Sequence, residues 1–199
     1  MSHNSIVPFL LLLLVATLAS ADEAANSGAV SVGLDRESLP HEVTEYSGEI
    51  RGLWRDGRIY IGGQPDESAL KHFQAQGVVA VVNLRTSEEI DDRERVPYDE
   101  AALVSDLGME YIHIPLGGEE HPYNPEAVAR FADILRRYEG PILVHCTVGW
   151  RASYIWSAYL VAEHGFEINT AMARGKAMAI GDLPIEGLLG LDLELTVVN

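Results

Sequence analysis

The sequence predicts a single α/β domain with a mostly parallel central sheet flanked by helices. Two observations predict it. Short apolar runs, at residues 78–84, 111–114 and 141–144, alternate with segments that open on helix-capping residues. The last of these runs leads through a glycine-bearing turn straight into a second apolar stretch at 152–161, long enough for a helix.

The elements follow in order. Residues 6–18 form an apolar run with Leu10 to Leu14 in series, followed by the small residues Ala19-Ser20-Ala21. That pattern reads as a signal peptide over residues 1–21, with an uncleaved N-terminal anchor as the alternative, and predicts export to the periplasm or the medium. The run is short for a spanning helix, and Pro8 interrupts it. Stable membrane insertion after cleavage is not expected. Residues 22–47 are polar, rich in Glu and small side chains, and without periodicity, so they read as a flexible leader or an extended arm. Residues 48–199 are assigned to the domain itself.

Within the domain, Ile59-Tyr60-Ile61 ends a first strand. Asp66 caps a helix running to about Ala75. The β-branched run 78–84 is a core strand, and residues 87–95 are read as a polar loop. A helix over residues 100–107 stops at Gly108. Residues 111–114 form the next strand. Asn124 and Pro125 mark the cap and first position of a helix ending near Tyr138-Glu139-Gly140. The strand at 141–144 then delivers His145 and Cys146. Residues 184–199 are apolar with two glycines, Gly187 and Gly190, which leaves a packing tail and a loose end both open.

In open parallel sheets, sites lie outside the carboxyl ends of the strands. That rule places Arg85, the group Glu119, Glu120 and His121, and Cys146 on one rim. The stretch His145-Cys146-Thr147-Val148-Gly149-Trp150-Arg151 carries most of the chemistry. A strand-to-helix turn converges backbone N–H groups where the helix dipole is positive, and an oxyanion binds there. A cysteine in that field is favoured as the thiolate. Gly149 lets the backbone curl. Arg151, at the first helical turn, opposes the dipole unless an anion lies between them; its planar fork suits phosphate or sulfate. The N–H groups of Thr147, Val148, Gly149 and Trp150 are the expected cradle. Trp150 either walls the pocket or packs beneath the loop. For Arg85, a structural ion pair and a substrate contact both remain open.

Composition narrows the partners. A net charge of −16 argues against nucleic acid and anionic membrane surfaces. Any anionic substrate must be attracted locally. Cys146 is the only cysteine, so no internal disulfide forms. No trustworthy metal-ligand spacing is present, and neither metal nor cofactor is expected. The oligomeric state is not legible.

His-Cys-x-x-Gly-x-Arg resembles the phosphate-binding loop of the cysteine-dependent protein phosphatases, which usually place five residues between Cys and Arg. Here there are four. With Ile61-Gly62-Gly63-Gln64-Pro65 and Val82-Asn83-Leu84-Arg85 upstream, the sequence is similar to the beta-lactamase-hydrolase-like phosphatase domain family, relatives of the dual-specificity and tyrosine phosphatases. The resemblance covers about residues 50–180. It implies a cysteine-phosphatase-like fold and hydrolysis of phosphate monoesters, on protein or small-molecule substrates, through a cysteinyl-phosphate on Cys146. It implies support of the loop by His145. The family places Ser or Thr directly after the arginine, whereas this chain has Ala152 there and Ser153 one step later. The family's general acid is an Asp on a mobile loop. The corresponding stretch here, Leu116 to Pro122, has none, which leaves Glu119, then Glu120, then His121, with Gly117 and Gly118 as a hinge. The short loop also matches rhodanese-type sulfurtransferases, which would carry a persulfide on Cys146. A non-catalytic anion-binding domain is the third reading.

Overall fold

A computed structural model describes residues 32–178 and 185–191. The expected signal peptide and residues 192–199 lie outside the described residues. In chain order the elements are β1 (His41–Glu42), β2 (Trp54–Asp56), β3 (Ile59–Gly62), α1 (Glu67–Ala75), β4 (Ala80–Asn83), α2 (Ser87–Asp91) and α3 (Glu100–Asp106). There follow β5 (Glu110–His113), α4 (Pro125–Arg137), β6 (Ile142–His145), α5 (Trp150–His164), α6 (Ile168–Ala177) and α7 (Ile185–Leu189).

The sheet runs β1-β2-β3-β6-β4-β5. β3, β6, β4 and β5 are parallel, and β1 and β2 extend the β3 edge antiparallel. Successive side chains along a strand point to opposite faces. Ile59, Ile61, Ala80, Val82, Ile142 and Val144 therefore pack toward α4 and α5, where Val128, Phe131 and Ile155 meet them. Tyr60, Val81 and Leu143 face the other layer, with Leu70 and Phe73 of α1 and Val104 of α3. Helices thus cover both faces, as a mostly parallel sheet requires.

Local sequence explains the helix starts. Asp66 accepts from the Ala69 N–H and Asn124 from the Ala127 N–H, with Pro125 at the first turn. α5 is buried all along Ala152 to Leu160, because α4, α6 and α7 surround the face that the sheet does not. Trp156 stacks on Tyr159 at 5.4 Å, and both meet Phe131 edge-on.

One expectation is corrected, and the described part of a second segment is located. The stretch 87–95, expected as a polar loop, contains α2. Thr86 and Glu89 form a reciprocal capping box that makes a short helix without any buried apolar residue. The segment 22–47, expected as a flexible leader or an extended arm, is from Val32 onward an arm anchored to the domain at points. Val32 is buried and its carbonyl accepts from the Arg58 N–H. Residues 41–42 add β1 to the sheet. Arg174 of α6 anchors the same arm by donating to the Asp35 and Arg36 carbonyls. Its guanidinium also pairs with buried Asp56 at 2.7 Å, and the Trp156 indole donates to that carboxylate at 2.9 Å. The final described helix, α7, packs on α4 and α5 with Ile185 and Leu188 buried.

Candidate active site

β6 ends at His145 and α5 begins at Trp150, so residues 146–149 make the turn at the carboxyl rim of the sheet. Gly149 sits at φ 93°, a region that side-chain-bearing residues rarely adopt. That conformation aims its N–H at the Cys146 sulfur, 3.2 Å away. The thiol is 1 % exposed. Ser153, one turn into α5, donates its hydroxyl to the Gly149 carbonyl at 2.9 Å and fixes the turn from behind. The loop also leans on the end of β3. Gln64 N–H donates to the Thr147 carbonyl at 3.2 Å. A Cβ at Gly63 would lie 2.8 Å from the Arg51 carbonyl and 3.0 Å from that of Thr147, so no other residue fits there.

Arg151 is held in a plane. Its Nη1 and Nη2 donate to the two oxygens of Glu89, each at 2.7 Å. Nη2 also donates to Thr147 Oγ1 at 2.9 Å, and Nη1 to the Leu116 carbonyl at 2.9 Å. Thr147 in turn donates to Glu89 at 2.7 Å. Partial burial alone would raise the Glu89 carboxyl. Hydrogen bonds from Arg151, the Thr86 N–H and Thr147 outweigh it and bring it down to about 2. Burial works against the Arg151 charge, but Glu89 and the nearby Cys146 sulfur more than offset it, so the guanidinium is held above its ordinary value. The fork expected to face ligand is thus turned to Glu89, with the cysteine beside it.

Beneath the loop lies a buried polar group. His145 Nε2 and Glu100 Oε1 are 2.7 Å apart, with both side chains at most 1 % exposed. Glu100 Oε2 accepts from Gln64 at 2.7 Å and from Asn83 at 3.4 Å. Gln64 accepts from Arg85 at 2.7 Å, and Arg85 donates to the Glu89 carbonyl at 2.5 Å. Burial would push the Glu100 carboxyl up, but the His145 charge and the converging donors hold it below its ordinary value. Arg85 is 1 % exposed, so its guanidinium braces the loop that carries Glu89 and is closed to the pockets.

Glu119 and Glu120 are exposed. With Thr86, Glu88, Glu89, Gly117, His121 and Arg151 they line an open pocket of about 600 Å³. The Gly117 N–H bonds the His121 carbonyl at 2.7 Å and closes this loop on itself. On the other side of the turn, Trp150 is 52 % exposed. It lines a second pocket of about 490 Å³ with Arg51, Trp54, Val148, Ser153 and Met178, so it does not pack beneath the loop. Among the described residues no group of three or more His, Cys, Asp or Glu has a metal-holding arrangement. Sequence reasoning missed Glu89, Glu100 and the side chain of Gln64. Only the Thr86-x-x-Glu89 capping box gave a local signal, and it pointed to a helix start.

A family model described as DSP-PTPase phosphatase fused to NAD+ kinase matches residues 40–187. The beta-lactamase hydrolase-like protein of Xylella fastidiosa (strain Temecula1) is 25% identical over 144 residues, which are 65% of this chain and 33% of that protein. The chain thus matches about a third of the length of that curated relative. A DUF442 protein of Shewanella putrefaciens CN-32 superposes with a TM-score of 0.51 at 25% identity, covering 65% of this chain and 87% of that one. TpbA of P. aeruginosa, solved in complex with pTyr, shares the fold with a TM-score of 0.53 at 19% identity, covering 77% and 94%.

Proposed function

The chain belongs to the DSP-PTPase phosphatase family described as fused to NAD+ kinase, and from that premise we propose that it hydrolyses phosphate monoesters through a cysteinyl-phosphate on Cys146. The observation that carries this reading is the Gly149 N–H bonded to the Cys146 sulfur at 3.2 Å, in a turn that leads directly into Arg151 at the start of α5. A thiol in such a field acts as a nucleophile.

In the first step the Cys146 thiolate attacks phosphorus. An S–P bond forms and the bond from phosphorus to the ester oxygen breaks. The N–H groups of Thr147, Val148, Gly149 and Trp150, with the Arg151 charge, stabilise the equatorial oxygens. A carboxylic acid from the 117–121 loop, Glu119 or Glu120, protonates the leaving oxygen; a phenolate leaves without help. In the second step water attacks phosphorus and gives its proton to the same carboxylate. The S–P bond breaks, returning the thiolate and free phosphate. Trp150 walls the second pocket, on the other side of the turn. Arg85 acts through its hold on Glu89 and Gln64, and His145 and Ser153 support the turn.

The test is turnover of an aryl phosphate by the wild-type chain, beside a parallel assay with thiosulfate and cyanide. The proposal requires phosphate release that depends on Cys146. Thiocyanate formation in its place would assign the loop to sulfur transfer.

A further inference from the structure

We infer that Glu100 is a positioning residue that holds the nucleophile and the arginine of the same site in register from beneath the loop. The inference rests on the reading of Cys146 and Arg151 as the reacting pair.

A carboxylate this deeply buried is costly unless donors surround it. Glu100 is 1 % exposed, and the groups hydrogen-bonded to it all donate. From β6 comes the His145 ring, 2.7 Å from one oxygen. From the end of β3 comes the Gln64 amide and from β4 the Asn83 amide, both on the other oxygen. Arg85, Tyr98 and Tyr111 lie close enough to feel its charge. Tyr98 and Tyr111 are not bonded to it; their hydroxyls are taken by Pro65 and Gln64, and by Asn83.

The two oxygens serve two arms. Through the first, Glu100 fixes the ring of His145, whose backbone carries Cys146. With Nε2 bonded to the carboxylate, the buried Nδ1 is left with no hydrogen-bond partner among the described residues. Through the second, Glu100 orients the Gln64 amide so that its oxygen accepts from Arg85. Arg85 holds the Glu89 carbonyl, and the Glu89 side chain holds the Arg151 fork. In this arm the Gln64 amide is the contact whose orientation the carboxylate sets, because Arg85 and Arg151 only donate and the Glu89 oxygens only accept. A structural filler would need volume at position 100; this path needs two acceptors there.

Glu100→Gln keeps the volume and replaces one acceptor by a donor. It satisfies one arm and opposes the other. We expect iodoacetamide labelling of Cys146 and turnover of p-nitrophenyl phosphate each to fall about 10-fold or more, toward the 10²-fold that a displacement on the order of 1 Å costs. The loss falls on kcat more than on KM. The double variant Glu100→Gln/Gln64→Glu exchanges donor and acceptor across the contact. The new amide at position 100 donates to the new carboxylate at position 64, which still accepts from Arg85; Asn83, at 3.4 Å the more distant donor on that oxygen, gives up this contact and keeps its bond to Tyr111. We expect this exchange to return both rates to within about three-fold of wild type, as a compensating pair in one network does. The inference is overturned if Glu100→Gln reacts at the wild-type rate, or if the exchange is no faster than the single variant. Should the single variant fail to fold, the exchange decides alone: it must fold and react. Labelling needs no phosphatase activity. A wild-type chain that labels at Cys146 but hydrolyses no phosphate ester contradicts the proposed function, and labelling of the variants then decides the role of Glu100.

Discussion

The Arg151 guanidinium and the Glu89 carboxylate meet in two parallel hydrogen bonds of 2.7 Å, although they are 62 residues apart in the chain. Glu89 therefore sets the plane of the arginine that follows the Cys146 turn, while Thr147 ties both to the loop. Glu89→Gln keeps the shape and loses the charge. It should lower turnover of an aryl phosphate by on the order of 10-fold to 10²-fold, because the fork is no longer fixed. Steady-state kinetics checks this.

The same contact predicts a pH dependence of stability. Glu89 is brought from its ordinary 4.5 down to about 2 in the folded chain. A lowered carboxyl contributes stability that is fully present above about 4.5 and is lost as pH falls toward about 2. Thermal midpoints of wild type and Glu89→Gln should differ at neutral pH and converge as pH drops through that window. A difference that stays constant down to pH about 2 would rule out this linkage.

Arg151→Lys preserves the positive charge and loses the planar fork. The Glu89 pairing and the hold on Leu116 both depend on that fork. The substitution should still cost on the order of 10²-fold in turnover, as removal of an oxyanion donor does. Near-complete activity in the Lys variant would reduce Arg151 to a point charge.

Glu119 and Glu120 stand on the exposed loop across the pocket from Arg151. A general acid matters in proportion to how poor the leaving group is. Removing it should slow alkyl phosphates by about 10²-fold or more while sparing activated aryl phosphates. Glu119→Gln and Glu120→Gln, each assayed on both substrates, separate the two carboxyls. Equal losses on both substrates would place the acid elsewhere.

Arg174 compensates the buried Asp56 carboxylate and pins the arm at Asp35 and Arg36. Arg174→Ala leaves that carboxylate with the Trp156 indole N–H alone. Stability should fall by about 3–5 kcal/mol, as removal of one partner from a buried pair does. Urea unfolding monitored by Trp fluorescence measures it.

The sequence made the frame legible where the signal is local. Apolar runs located β4, β5 and β6, and the side chains of Asp66 and Asn124 marked their helices because caps act within three residues. Cys146, Gly149 and Arg151 were legible because one turn contains them all. α2 was not, since its five residues bury no apolar side chain and leave no periodic pattern. Nor were β1 and β2, too short for an alternation to emerge. Glu89 and Glu100 escaped for another reason. Each reads locally as a first-turn acidic residue, and the partners that give it a role, His145, Gln64 and Asn83 for Glu100 and Thr147 and Arg151 for Glu89, lie far off in the chain and are brought near by the strand order β3-β6-β4. Trp150 was ambiguous until its exposure was seen, because an aromatic at a helix start packs inward or outward equally well.

The central claim is that Cys146 carries the phosphoryl group. Rapid acid quench of the wild-type chain during turnover of p-nitrophenyl phosphate, followed by peptide mass analysis, tests it directly. The account predicts a phosphoryl adduct on the peptide containing Cys146, absent in Cys146→Ser, which also loses turnover while still binding inorganic phosphate. Phosphate release without any adduct, together with turnover persisting in Cys146→Ser, would contradict it.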